Sequence, residues 1–213
     1  MKIALLNASS QKQKNPIIQE SLYQAIGNKG HEVINFGVFP NETVEFSYVQ
    51  VALMTSLLLS SNAVDFAITG CSSGNGMMLA CNSLPNVMCG YIARPEEAYL
   101  FGRINKGNAI SVPLGLNFGW AGEINLRLCL EQLFIEEPLG LGYPKEDALR
   151  KIKDASMLKE IKQKGQHDIL YLIDSLDADF IAPIFKRGLL LDFIINNGRN
   201  MQVVNYLRKK MQD

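Results

Sequence analysis

Short apolar runs alternate with longer helical stretches through the first two-thirds of the chain. Residues 2–6 form an apolar run that halts at Asn7-Ala8-Ser9-Ser10, the pattern of a buried strand ending in a polar loop. A helix is predicted from 16 to 26, closed by Gly27 and Gly30. A strand over 31–36 then opens at Gly37 and Pro40 into a loop. A long apolar helix follows over 46–61, and a β-rich run over 64–69 stops at Cys71-Ser72-Ser73-Gly74-Asn75-Gly76. The remaining pattern predicts a helix over 77–81, a strand over 87–92, a helix over 96–101, a strand over 109–112 and a helix over 119–134 containing Trp120. Strand and helix thus alternate five times, which implies an α/β, Rossmann-like three-layer sandwich with a five-stranded parallel sheet. The common strand order 2-1-3-4-5 is expected. Such a sheet binds ligands at the carboxyl ends of its strands where the order reverses, so Asn7 to Ser10 and Cys71 to Gly76 should face one crevice.

From Pro138 the character changes. Gly140, Gly142 and Pro144 mark a boundary, giving an α/β domain over 1–138, a linker over 139–144 and a helical C-terminal extension over 145–213. Helices are expected over 145–153, 156–164, 168–175 and 201–211. Their apolar faces need a surface to cover, and contacts between copies of the chain, or a cap on a neighbour's pocket, are the expected use.

Composition narrows the chemistry. Twenty-one basic residues balance 21 acidic ones, so no general field attracts nucleic acid or an anionic membrane. A hydrophobic content of 47% excludes a disordered chain. Cys71, Cys81, Cys89 and Cys129 lack the paired spacing of a zinc site and the density of a disulfide scaffold, so free thiols in a reducing cytoplasm are expected. No run reaches the about 18 apolar residues of a membrane span, and residues 2–6 are too short for a signal-peptide core.

The densest local signal is Cys71 to Gly76 between a strand and a helix. Gly74 and Gly76 permit close backbone approach, and unpaired amides at a helix start favour an anion or a developing oxyanion. The same positive end favours the thiolate of Cys71. A tight strand-to-helix turn with a packing cysteine would also read this way. A dinucleotide fingerprint is weaker, because the third spaced glycine is missing.

Residues 64–90 resemble the central block of the ribose-5-phosphate isomerase B and galactose-6-phosphate isomerase family. That block reads Cys-Gly-Thr-Gly-x-Gly, five residues, then Asn-Lys-x-Pro. Cys71, Gly74, Gly76, Asn82 and Pro85 keep their places, Ser73 replaces the threonine and Ser83 the lysine. Gly30 to Gly37 resembles the family's second strand and Asn105-Lys106-Gly107-Asn108 its Asn-x-x-Asn segment, so the likeness spans roughly 2–135. It implies aldose-ketose isomerisation of a sugar phosphate through an enediolate, with no redox cofactor and no metal. Cys71 then matches the base, Ser73 a hydroxyl beside the sugar oxygen, and Asn105 a residue that reaches the crevice from a neighbouring subunit. A homodimer, or a dimer of dimers, with the active site at the subunit interface is implied. Asn7, Ser9, Ser10, Tyr48, Ser72, Gly74, Asn75, Gly76 and Arg94 are the expected substrate contacts, with Glu45 also near the pocket.

Departures from the family are specific. Ala8-Ser9 stands near its Asp-His pair, Ile104 replaces the histidine that helps open the sugar ring, Gly115 stands near an arginine, and Gly142-Tyr143-Pro144 lacks a cation. Arg94, Arg103, Lys106 and Lys145 remain as candidates for phosphate, while His31 and His167 are expected in surface or structural roles. A substrate that is already open-chain would remove the need for the missing histidine. Two other readings keep the fold: a non-catalytic sugar-phosphate binding module, and a flavin-dependent oxidoreductase, since Asn7-Ala8-Ser9-Ser10-Gln11-Lys12 faintly resembles a phosphate-binding flavodoxin loop.

Overall fold

The computed structural model describes residues 1–27 and 29–211. Five strands, β1 (Lys2–Asn7), β2 (Glu32–Asn35), β3 (Phe66–Cys71), β4 (Cys89–Tyr91) and β5 (Ala109–Pro113), form one parallel sheet. Helices α1 (Asn15–Ile26), α2 (Tyr48–Ser60), α3 (Asn75–Asn82), α4 (Pro95–Leu100) and α5 (Gly122–Leu133) connect and cover it. Every residue of β3 is buried, as a strand roofed on both faces requires. One apolar layer joins the sheet to α1 and α5, and the other joins it to α2 and α3.

The strand order is 2-1-3-5-4, not 2-1-3-4-5. Burial explains the exchange of the last two strands. Ala109 to Val112 are all buried, which suits a strand with a neighbour on each side, whereas β4 has three residues, two of them only half-buried, and takes the edge. Trp120, expected inside a helix, lies in a fully exposed turn before α5.

Helix α2 begins with a capping box: Ser47 Oγ accepts from the Gln50 amide, and the Gln50 side chain accepts from the Ser47 amide. Beyond its first turn, Val51 to Ser60 are all buried. A helix apolar all round must be covered on every side, and the sheet covers one. The other is covered by the extension. After a single helix α6 (Ala148–Gly165), where two were expected, come α7 (Ile169–Ser175), α8 (Ala178–Phe185), α9 (Gly188–Asn197) and α10 (Met201–Lys210). Nothing between 153 and 156 breaks α6, because Asp154, Ala155 and Ser156 carry neither glycine nor proline. Helices α8 and α9 occupy residues to which the sequence pattern assigned no element.

Ile169, Ile173, Ile184, Leu190, Leu191, Ile194, Val203 and Leu207 pack into the same cluster as α2. Polar ties fix both ends of that contact: Gln50 donates to the Phe180 carbonyl at 2.9 Å, and the Arg199 and Asn200 amides donate to the Ser61 carbonyl at 2.9 and 3.0 Å. The apolar faces of α7 to α10 are therefore turned largely into the chain, whereas α6 leaves Leu149, Met157, Leu158 and Ile161 exposed. Among the described residues, no helix is long and apolar enough to cross a membrane.

Replacing Leu191, which has no exposed surface, by alanine should remove about 2–5 kcal/mol of stability. Chemical denaturation should show this as one shifted transition shared by extension and sheet. A separate early transition of the extension would contradict the shared core.

Candidate active site

Three carboxyl strand ends build the crevice. After β1, Ala8 donates to the Gly70 carbonyl at 3.0 Å and the chain turns through a short 3-10 stretch, Ser9–Lys14. After β3, Cys71 leads into Ser72-Ser73-Gly74 and α3. After β5, the Gly115 and Leu116 amides donate to the Ser72 carbonyl at 2.9 and 2.8 Å. Ser10 Oγ lies 3.4 Å from Ser72 Oγ, and Gln11 Nε2 donates to Ser72 Oγ at 2.9 Å. The expected meeting of the first and third strand loops is thus present, and Gln11 belongs to it although the sequence pattern singled out only its neighbours.

Gly74 caps α3 with φ of 76°, and a Cβ there would lie 2.8 Å from the Tyr91 ring and 3.0 Å from the Pro113 amide nitrogen. Both conformation and space therefore require glycine. Ser111 Oγ donates to the Gly74 carbonyl at 2.7 Å from inside the sheet. The turn delivers Asn75 and Gly76 to the start of α3, where first-turn amides have no helical partner and can face an anion. Tyr48, first residue of α2, lies beside Gly76. Ser73 is half-buried and Asn75 exposed in the same loop.

Several expected contacts lie elsewhere. Asn7 is fully buried: it accepts from Asn15 Nδ2 at 2.7 Å and donates to the Ala8 carbonyl at 3.3 Å, so it braces the fold beneath the crevice. Ser9 is buried too, its hydroxyl accepting from the Phe46 amide at 2.6 Å and its amide donating to the Phe46 carbonyl at 3.1 Å. Arg94 is paired with Glu96 at 3.3 Å and Glu97 at 3.1 Å, and its pKa is raised by the Glu97 hydrogen bond and both acidic charges. Arg103 is buried, donating to the Leu133 and Glu137 carbonyls at 2.9 and 2.7 Å, so it braces the linker. Asn105 and Lys106 are exposed before β5, at the end of the sheet opposite Cys71. Lys145 is exposed at the start of the extension.

Neither histidine belongs to the crevice. His31 Nδ1 lies 3.3 Å from the N-terminal amine, its pKa lowered by burial and nearby positive charge. His167 stacks on Tyr171 and borders a small cavity with Lys106, Lys159 and Lys162. Two residues that border the crevice were not among the expected substrate contacts. Lys12 pairs with Glu45 at 2.7 Å and donates to the Glu42 carbonyl at 3.0 Å, and its hydrogen bond and charge hold the Glu45 carboxyl below its ordinary range. Tyr91 packs against Gly74, its pKa raised by burial and by the Glu97 and Cys71 charges. The Gln-Lys-Gln-Lys run was the signal for Lys12. Tyr91 carried none, because its place depends on β4 being the edge strand.

These features define an α/β protein with a single, buried cysteine at the carboxyl end of its central strand, leading into the glycine turn that starts α3. The family described as Ribose/Galactose Isomerase matches residues 3–124, and the chain belongs to that family of sugar isomerases. It is similar to a crystal structure of a 4-deoxy-L-threo-5-hexosulose-uronate ketol-isomerase complexed with a tartrate, with 43% identity, 100% of both chains covered and a TM-score of 0.94. A ribose-5-phosphate isomerase from Vibrio parahaemolyticus shares 34% identity over 98% of both chains, with a TM-score of 0.92. The type B ribose 5-phosphate isomerase from Leishmania infantum, 16% identical, shares the fold at a TM-score of 0.62, covering 78% of this chain and 98% of its own. No curated protein sequence matches the chain.

The other three cysteines are packing groups. Burial pushes the Cys129 thiol up to about 12, and the hydrogen bond that the Cys89 thiol makes to Cys81, together with burial, raises Cys89. Although Cys71 is itself only 7% exposed, brief iodoacetamide treatment of the folded protein near about pH 8 should modify it before Cys129, whose raised thiol leaves little thiolate. Peptide mass spectrometry reads the outcome, and equal labelling of Cys129 would contradict this placement.

Proposed function

We propose that the chain is an aldose-ketose isomerase whose substrate is an open-chain sugar acid of the 4-deoxy-5-hexosulose-uronate type. Ile104 carries this reading. An isoleucine standing where the resembling family has its ring-opening histidine cannot transfer a proton, so the substrate must arrive with its aldehyde free. A hexose without a hydroxyl at carbon 4 and with a ketone at carbon 5 has no alcohol placed to close a five- or six-membered ring on its aldehyde carbon. The relative with 43% identity acts on such a compound by its name.

Charge favours the same choice. Lys12 is paired with Glu45, and Arg94 with Glu96 and Glu97. A phosphate carries about −1.5 to −2 near neutrality, whereas a uronate carries a single charge that amides and a shared lysine can hold. Phosphorylated sugars remain the second reading, supported by the relative from Vibrio parahaemolyticus.

In the proposed reaction Cys71 acts as base and removes the proton from the carbon beside the aldehyde. The electron pair of that C–H bond forms the enediolate, with negative charge on the former aldehyde oxygen. A proton passes between the two oxygens, and the terminal carbon is protonated to give the ketose. Ser73 lies beside those oxygens and the amides at residues 74–76 face the developing charge. Asn105 is offered by a second copy, because it lies at the wrong end of its own sheet. That copy makes the working unit a homodimer or a dimer of dimers.

Proton NMR in deuterated water should show turnover of 4-deoxy-L-threo-5-hexosulose-uronate with deuterium entering at the transferred position. Turnover of ribose 5-phosphate should be slower. Cys71→Ala should lower kcat by about 100-fold or more, the range of general base catalysis. Unchanged turnover in that variant would falsify the role of Cys71, and faster reaction with ribose 5-phosphate would restore the sugar-phosphate reading.

A further inference from the structure

The extension also grips one wall of the crevice. Between β2 and α2 the chain runs from Phe36 to Ser47 without helix or strand, and residues 42–48 of this loop border the crevice. The Phe46 amide and carbonyl are tied to Ser9, Glu45 is paired with Lys12, and Tyr48 lies against Gly76. At the loop's far side stands Arg187, on the turn between α8 and α9.

Arg187 meets the loop through a bidentate pair. Its Nη1 and Nη2 donate to the two carboxylate oxygens of Glu42, the second at 2.8 Å, and Nη2 also donates to the Phe36 carbonyl. The guanidinium lies 5.0 Å over the Phe46 ring, and Glu42 Oε1 accepts from the Phe39 amide at 2.8 Å. The side chains of Arg187 and Glu42 are only 10% and 19% exposed. A fork on a carboxylate fixes direction as well as distance, and removal from water makes that geometry stiff. The fit is tight enough that a Cβ on Gly37, whose φ is 87°, would come within 2.6 Å of Glu42 Oε1. Beside the pair, a cleft of about 820 Å³ separates the loop from α8 and α9, bordered by Thr43, Val44, Phe46, Lys186 and Leu189. The loop therefore has room to move wherever the pair does not hold it.

We propose that Arg187 is a positioning residue for the isomerase site: by clamping Glu42 it holds the 37–47 loop where Glu45, Phe46 and Tyr48 border the Cys71 crevice. The clamp rests on the reading of that crevice as the catalytic site. Its mechanical part is separate from the choice of substrate. Glu42 transmits the hold inward through its carbonyl, which accepts from Lys12, the lysine that also holds Glu45.

The test compares the full-length protein with Arg187→Ala, Arg187→Lys, Glu42→Gln and the charge-exchanged double variant Arg187→Glu/Glu42→Arg. Amide hydrogen exchange over 38–47 needs no substrate and should accelerate about tenfold or more in Arg187→Ala, with β1, β3 and β5 unchanged. The rate of iodoacetamide modification of Cys71 should change with it. On the uronate, kcat/KM should fall about 10- to 100-fold, with KM affected more than kcat, the cost of a displaced binding wall. Arg187→Lys should lie between, because an ammonium cannot form the fork, and the double variant should recover part of the loss. Unchanged exchange in 38–47 would overturn the clamp, as would faster exchange spread through the sheet or a loosened loop with kcat/KM intact. If wild-type protein does not turn over the uronate, the proposed function fails, and exchange together with Cys71 modification still decides the clamp.

Discussion

Helix α2 imposes the constraint that organises this molecule. Its residues 51–60 are buried on all sides, and a parallel sheet can cover only one flank of a helix lying on it. Such a helix left half-covered would expose a contiguous apolar surface of the kind that monomeric proteins rarely tolerate. Helices α7 to α10 close that surface from outside and make a fourth layer. The length of the chain beyond its α/β domain thus has a physical reason inside one protomer. The apolar faces of α7 to α10 are largely consumed in covering α2, while Leu149, Met157, Leu158 and Ile161 of α6 stay exposed.

That added layer reaches the crevice because the loop preceding α2 serves two neighbours. On one side it bonds the turn after β1 through Ser9 and Lys12; on the other it meets Arg187. The crevice itself is made from groups that any open parallel sheet gathers at its carboxyl end: a cysteine on the central strand, hydroxyls from two loops and the first amides of α3. Its specific character comes from what is paired. Lys12 is already matched by Glu45, and Arg94 by Glu96 and Glu97.

Much of this was legible in the sequence because the signals were local. The buried runs at β1 and β3, the apolar run of α2 and the Cys71 to Gly76 turn depend on neighbours within a few positions, so periodicity and turn chemistry locate them. The order of the last two strands was not legible, since it depends on how completely β4 and β5 are buried and not on where they begin. Tyr91 was hidden for the same reason. Asn7 and Ser9 lay beside the expected crevice in sequence but turn inward, where buried amides and hydroxyls must find partners. Arg103 and Arg94 looked like free cations, yet one holds carbonyls of the linker and the other is neutralised by Glu96 and Glu97.

By itself the sequence determined the βα alternation, the meeting of the first and third strand loops, and the place of Cys71 at the end of the strand that leads into one of them. Each of these follows from residue type and short-range spacing. The tertiary structure alone decided that β5 lies inside β4, that the extension roofs α2, and that Arg187 meets Glu42 across 145 positions of chain. These depend on which surfaces remain uncovered once the local elements exist, and long-range burial of that kind leaves no periodic trace in the chain.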